Sequence, residues 1–215
     1  MKNKKILIVD YGLGNLLSLK RAFVYLGSEV IISNVASSLN EASKIILPGV
    51  GAYAKAMESI RQLNLEKPLI SASNKGIPLL GICLGMQLLL GESEEFGKTK
   101  GLNIIPGKVK SIKKLIATNN KTKVPHIGWN TLHKSDSSKN FNLKIFKNIK
   151  SEQSFYFVHS FASFPKNQKH RIYDTRYGDV SVPAIIGDQN IFGFQFHPEK
   201  SGQQGLKLLK EFLKI

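Results

Sequence analysis

Apolar residues alternate with polar turns in a regular way over the first half of the chain. Lys5-Ile-Leu-Ile-Val-Asp10 reads as a strand buried on both faces, closed by the turn Tyr11-Gly-Leu-Gly14. Leu16, Leu19, Phe23 and Leu26 then recur at helical spacing, and Gly27 is placed to cap that helix. Glu29 to Ser33 predicts a second strand, and Ile45 to Leu47 a third, ended by Pro48-Gly49. A helix from Tyr53 to Leu63 follows. Leu79 to Ile82 predicts a fourth strand, running into a helix from Leu84 to about Leu90. Strands that alternate with helices imply parallel pairing with right-handed crossovers, and a site at the carboxyl ends of the strands.

Beyond Gly91 the helical period fades. Val109–Ile116, Tyr156–His159 and Ile185–Gly187 are predicted strands, with polar loops at Asn119–Lys121 and Ser135–Asn140. Ile191–His197 is a final strand. A closing helix runs from Gly205 to Leu213 with Leu206, Leu209 and Phe212 on one face. The prediction is one α/β domain over residues 1–215, with a mixed, mostly parallel central sheet flanked by helices and its parallel part coming first.

At 215 residues, 42% hydrophobic and 21% charged, the chain can bury a substantial core and is not disordered. Gly81 and Gly85 break the longest apolar run well short of the about 18 residues of a membrane span. Basic Met1–Lys5 leads into a strand rather than a signal peptide. The single cysteine, Cys83, cannot form an internal disulfide, which points to the cytoplasm. A net charge of +16 raises the question of nucleic acid. The basic residues are nearly all dispersed lysines, with only Arg21, Arg61, Arg171 and Arg176 for bidentate readout. A solvated coat is therefore expected, with neither nucleic acid nor membrane as a partner.

No cofactor or metal is expected. The third glycine that a dinucleotide-binding turn beginning at Gly12 requires is Leu17, and there is no Walker-type phosphate loop. The histidines lack ligand spacing, and no second cysteine exists.

The sharper chemistry lies at Gly81-Ile-Cys-Leu-Gly85, between an apolar strand and an apolar helix. This is a nucleophile elbow with Cys in place of Ser. Such a turn exposes the sulfur above the sheet and aims helix N–H groups at it. A lone Cys in an apolar run is also a common small core residue, so the pattern alone leaves both readings open. A nucleophile needs a base and an orienting group. His133 and His170 sit in polar, lysine-rich surroundings and are expected to be exposed. His126 and His159 are candidates for core or site. His197 ends an apolar strand, and Glu199, beyond Pro198, can fold back onto its ring. That gives Cys83–His197–Glu199, against the alternative of a structural His-Pro turn. Pro48-Gly-Val-Gly51 follows a buried strand, and its glycines let the backbone turn N–H groups toward a ligand, or simply end the strand.

These three motifs together resemble the class I glutamine amidotransferases. Asp10-Tyr-Gly-Leu-Gly-Asn-Leu16, Val124-Pro-His-Ile-Gly-Trp-Asn130, Tyr156-Phe-Val-His-Ser160 and His197-Pro-Glu-Lys-Ser201 further resemble the glutaminase-subunit family of imidazole glycerol phosphate synthases, from about Lys5 onward. The resemblance implies hydrolysis of glutamine to glutamate and ammonia. The ammonia passes to a partner (β/α)₈-barrel cyclase in a heterodimer, which makes imidazole glycerol phosphate and aminoimidazole carboxamide ribonucleotide in histidine biosynthesis. Carried onto this chain, Cys83 is the nucleophile, His197 the base and Glu199 its orienter. Leu84 and Gly49, Val50 and Gly51 form the oxyanion hole. Gly51, Gln87, Glu95, His159, Ser160 and Phe161 bind glutamine. Asn15, Trp129, Tyr156, Lys200 and Ser201 face the partner around the ammonia passage. The family often has Tyr where Phe161 stands and Phe where Tyr53 stands. Three alternatives remain: a paralogue supplying ammonia for surface-polysaccharide sugar amidation, a non-catalytic module on the same fold, and a thiol hydrolase of similar architecture.

Overall fold

The computed structural model describes residues 5–117, 121–136, 144–146, 149–150 and 152–215. The expected basic start, and parts of the loops expected at Asn119–Lys121 and Ser135–Asn140, lie outside the described residues. The elements, in order, are β1 (Lys5–Val9), α1 (Leu16–Tyr25), β2 (Glu29–Ser33), α2 (Ser38–Glu41), β3 (Lys44–Leu47), α3 (Tyr53–Gln62), α4 (Glu66–Asn74), β4 (Leu79–Ile82) and α5 (Leu84–Leu88). They continue with β5 (Glu92–Ser93), β6 (Thr99–Lys100), β7 (Gly107–Ser111), α6 (Ile112–Leu115), β8 (His126–Thr131), β9 (His133–Lys134) and β10 (Ser154–His159). The remainder is β11 (Phe161–Pro165), β12 (Arg171–Tyr177), β13 (Val180–Asp188), β14 (Ile191–Phe194) and α7 (Gly202–Phe212).

The main sheet has the order β2-β1-β3-β4-β14-β13-β12-β9. Its first five strands are parallel and the remaining three antiparallel. The parallel part comes first in the chain, as expected, except for its fifth member. β14, from near the C-terminus, inserts between β4 and β13.

Period-two alternation splits the core into two layers. Ile6 and Ile8 of β1 face α1 and α7, packing with Leu19, Phe23, Leu209 and Phe212. Leu7 and Val9 face the other way, toward Met57 and Ile60 of α3 and Leu69 of α4. Gly27 caps α1 with φ +81°, its N–H bonding the Val24 carbonyl and that of Ser28 the Phe23 carbonyl. Two smaller sheets flank the antiparallel side: the ribbon β8–β10, and β11-β7-β5-β6.

Several elements differ from the sequence expectation. Val109–Ile116 is not one strand: β7 ends at Ser111 and α6 begins at Ile112. α4 was not expected; its Pro68 stands in the first turn, where no intrahelical N–H is lost. The final strand stops at Phe194, so His197 lies three residues beyond it. The buried stripe of α7 runs through Gly205, Leu208, Leu209 and Phe212, with Leu206 only partly buried.

Candidate active site

Cys83 joins β4 to α5 with φ +54° and ψ −110°, a conformation that non-glycine residues rarely adopt. The surroundings hold it there. Its N–H donates to the Phe194 carbonyl of β14 at 2.7 Å. The flanking glycines are steric requirements: a Cβ on Gly81 would stand 2.6 Å from the Gly85 carbonyl oxygen, and one on Gly85 would collide with the Leu47 carbonyl of β3. The strand-to-helix turn can therefore close only with glycine at both positions.

His197 reaches Cys83 from another direction. Its N–H donates to the Tyr156 carbonyl of β10, and Ser201 Oγ donates to the His197 carbonyl at 2.6 Å. A short 3₁₀ turn over Pro198–Lys200 brings Glu199 Oε1 to 2.9 Å from His197 Nδ1, with both side chains almost wholly buried. Nε2 is buried and has no hydrogen-bond partner of good geometry. Burial alone would lower the His197 pKa, but Cys83 and Glu199 outweigh it and carry the value up to about 9. The imidazole thus holds a proton at neutral pH, between a sulfur and a carboxylate.

A cavity of about 290 Å³ opens over these groups, lined by the expected residues Val50, Gly51, Cys83, Leu84, Gln87, Glu95, His159, Ser160, Phe161 and His197, together with Val158. Glu95 Oε2 accepts from the Tyr53 N–H at 2.7 Å. Gln87 Nε2 donates to the Phe161 carbonyl at 2.9 Å and to Gln195 Oε1 at 3.3 Å. Gln195 Nε2 lies 3.8 Å from Cys83 Sγ. Sequence reasoning gave Gln195 no role. Its signal was available, a lone amide in the apolar run Phe192–Phe196, and the residue is fully buried.

Gly49 was expected to help supply oxyanion N–H groups. Instead its carbonyl accepts from the Leu84 N–H at 3.3 Å, so the loop occupies the donor that the elbow offers. Behind it, the buried Tyr11 hydroxyl donates to the Pro48 carbonyl at 2.6 Å, and burial pushes the Tyr11 pKa up, keeping that donor protonated. Tyr11 is a second residue that sequence reasoning missed.

Of the residues expected to face a partner, Trp129 is 59% exposed and meets Tyr156 edge-on across the β8–β10 ribbon, where the two are directly paired. Ile127, equally exposed, pairs with cavity-lining Val158, so an apolar face leads from Trp129 to the cavity. Lys200 is exposed and Asn15 half-buried at the start of α1. Ser201 does not face outward. It is 1% exposed, and its hydroxyl ties the Tyr156 N–H to the His197 carbonyl. His133 is exposed as expected, whereas the His170 side chain is mostly buried, 3.5 Å from Asp188. His126 is core, stacked between Phe157 and Tyr177. Among the described residues no cluster of three His, Cys, Asp or Glu could hold a metal ion, and no helix is long and apolar enough to cross a membrane.

The family model for glutamine amidotransferase class-I matches residues 7–215. The chain is 44% identical over 208 residues to imidazole glycerol phosphate synthase subunit HisH 1 of Legionella pneumophila (strain Paris), covering 97% of this chain and 98% of that protein. It is 42% identical over 210 residues to the HisH subunit of Lactococcus lactis, covering 98% of each. Two solved structures are similar in fold. PurLQS from Thermotoga maritima has a TM-score of 0.73 at 18% identity, covering 99% of this chain and 98% of that one. A glutamine amidotransferase from the same organism has a TM-score of 0.62 at 21% identity, covering 100% and 84%.

Proposed function

The chain belongs to the class-I glutamine amidotransferase family, and from that premise we propose that it is the glutaminase subunit of an imidazole glycerol phosphate synthase, with Cys83, His197 and Glu199 as its triad. Identity of 41–44% to HisH subunits over nearly the whole chain supports this choice within the family. One observation carries the triad: the strained Cys83 shares a cavity of about 290 Å³ with His197, whose ring is held by the buried Glu199.

In this mechanism Cys83 Sγ attacks the side-chain carbonyl of glutamine. Protonated His197 then delivers its proton to the departing nitrogen as the C–N bond breaks, leaving a thioester and ammonia. Water then passes a proton to His197 and attacks the thioester carbonyl; the C–S bond breaks, glutamate leaves, and Cys83 is restored as the thiolate beside protonated His197. Glu199 holds the imidazole by Nδ1 and balances its charge. Glu95 has one oxygen committed to Tyr53, and the other faces the substrate's ammonium group. Backbone groups of His159–Phe161 hold the carboxylate.

The oxyanion hole needs a rearrangement. One peptide plane carries the Gly49 carbonyl and the Val50 N–H on opposite sides. Rotating it withdraws the carbonyl from the Leu84 N–H and presents the Val50 N–H in its place, so both can serve the oxyanion. The partner, a (β/α)₈-barrel cyclase bound over Trp129 and Tyr156 in a cytoplasmic heterodimer, favours the rotated form and takes up the ammonia. It makes imidazole glycerol phosphate and aminoimidazole carboxamide ribonucleotide.

The test is glutamate release by the chain alone, with the barrel partner, and with the barrel partner plus its nucleotide ligand. Cys83→Ala should abolish glutamate release while the complex still makes product from added ammonium salts. Glutamate release by Cys83→Ala would reject the triad. Stimulation by a sugar-amidation synthetase in place of the barrel would reject the pathway.

A further inference from the structure

The imidazole rings of His159, which lines the cavity, and of His126 behind it make and break no bond in the chemistry above, yet their hydrogen bonds have only one consistent direction. The Phe161 carbonyl can only accept, so His159 Nδ1, 2.8 Å from it, carries the proton and donates. Burial holds the His159 pKa down, at about 3, so the ring is neutral and its Nε2 is bare. His126 Nδ1 lies 3.1 Å from that Nε2 and must be the donor. Burial likewise keeps His126 neutral, with its pKa lowered to about 4, so its own Nε2 is bare. Both rings therefore hold the Nδ1–H tautomer, the less populated form of a free neutral histidine.

The chain of donors ends at the glutamine pocket. The Phe161 carbonyl also accepts from Gln87 Nε2, which fixes the nitrogen end of the amide of this cavity-lining residue. If His159 lost the donor at its Nε2, its proton could move there. Its Nδ1 lone pair would then face the Phe161 carbonyl, two acceptors at contact distance.

We propose that His126 is a positioning residue for glutamine: by donating Nδ1–H to His159 Nε2 it fixes His159 as the donor to the Phe161 carbonyl, and through that carbonyl it sets the backbone and the Gln87 amide that receive the substrate. His126 itself is 2% exposed and does not line the cavity. The proposal rests on the glutaminase reading of the cavity.

Two substitutions separate positioning from packing. His126→Phe keeps a ring in the stack of Phe157 and Tyr177 but has no donor. His126→Asn places an amide nitrogen where Nδ1 stood. In the complex with the barrel partner and its nucleotide ligand, His126→Phe should raise KM for glutamine about three- to tenfold with kcat changed much less. His126→Asn should restore KM to within about twofold of wild type. An unchanged KM in His126→Phe, or equal impairment of both variants, overturns the proposal.

A measurement on the unsubstituted protein stands beside these. Long-range ¹⁵N–¹H spectra of the complex with ¹⁵N-labelled histidine should show Nδ1–H on both His126 and His159. An Nε2–H tautomer on either ring overturns the proposal whatever the variants do. Absence of glutamine hydrolysis by the wild-type complex would instead remove the glutaminase reading, while the spectra still report the tautomers.

Discussion

Replacing Val50 with glycine should wake the isolated chain. In the structure the Gly49 carbonyl caps the Leu84 N–H at 3.3 Å, a long bond whose loss costs about 0.5–1 kcal/mol. Rotating the Gly49–Val50 peptide changes ψ of Gly49 and φ of Val50 together. Gly49 tolerates this, but Val50 does not share that freedom. Its φ is now negative, and a half-turn drives it positive, at about 1–2 kcal/mol for an ordinary L-residue and more for a β-branched one. The sum, about 2–3 kcal/mol, leaves roughly one molecule in thirty to one in a hundred and fifty in the rotated form. Val50→Gly removes the second cost, so basal glutamate release should rise about 5–30-fold. The rate with partner and ligand should change little, because there the rotation is already supplied. The assay is steady-state glutamate release by wild type and Val50→Gly, each alone and in complex. Unchanged basal activity, or the same fold-stimulation in both proteins, would show that the cost of turning Val50 is not what restrains the free chain.

Further outcomes follow from the same geometry. His197→Asn should lower turnover by several orders of magnitude, and Glu199→Gln by less because nucleophile and base remain, both read as kcat in the complex. The His197 pKa is raised to about 9, so the stability its proton contributes is complete below about pH 6.5 and is lost as pH rises through about 9. Because Cys83 contributes to that shift, the melting temperature should fall less steeply over this range in Cys83→Ala than in wild type, and equal slopes would refute the coupling. Gly85→Ala should unfold at a markedly lower temperature, since the new methyl meets the rigid Leu47 carbonyl and overpacking of this kind costs about 1–3 kcal/mol or more.

The parallel strands were legible because each is a short, doubly buried apolar run ended by a turn. The elbow was legible because its glycines are sterically compulsory and so leave a mark in the sequence. The antiparallel half was harder to read. β12 carries polar residues such as Asp174, which accepts from Ser181 across the ladder, and Thr175, which donates to the distant Thr131 carbonyl. α4 was not read from the sequence, and it is a nine-residue helix with Pro68 in its first turn. His197 and Glu199 were proposed from their place at the end of the last apolar strand, but that strand ends at Phe194, and what positions His197 is a tie to β10. The capped state of Leu84 has no sequence signature, because a backbone carbonyl makes that contact. Ser201 was assigned outward for the same reason: its two hydrogen bonds go to main-chain groups.

The place of β14 sets an order on how the protein comes into being. The elbow waits for it: Gln195, which touches Cys83 Sγ, is 112 residues further along the chain. A ribosome must therefore release the chain at least through Phe194 before the Cys83 N–H can find that residue's carbonyl, and closing so long a loop is among the later events of folding. Until then the thiol has neither its imidazole nor the turn that raises it above the sheet. On the proposed triad, a half-made or partly unfolded chain is therefore mute toward glutamine and releases no ammonia.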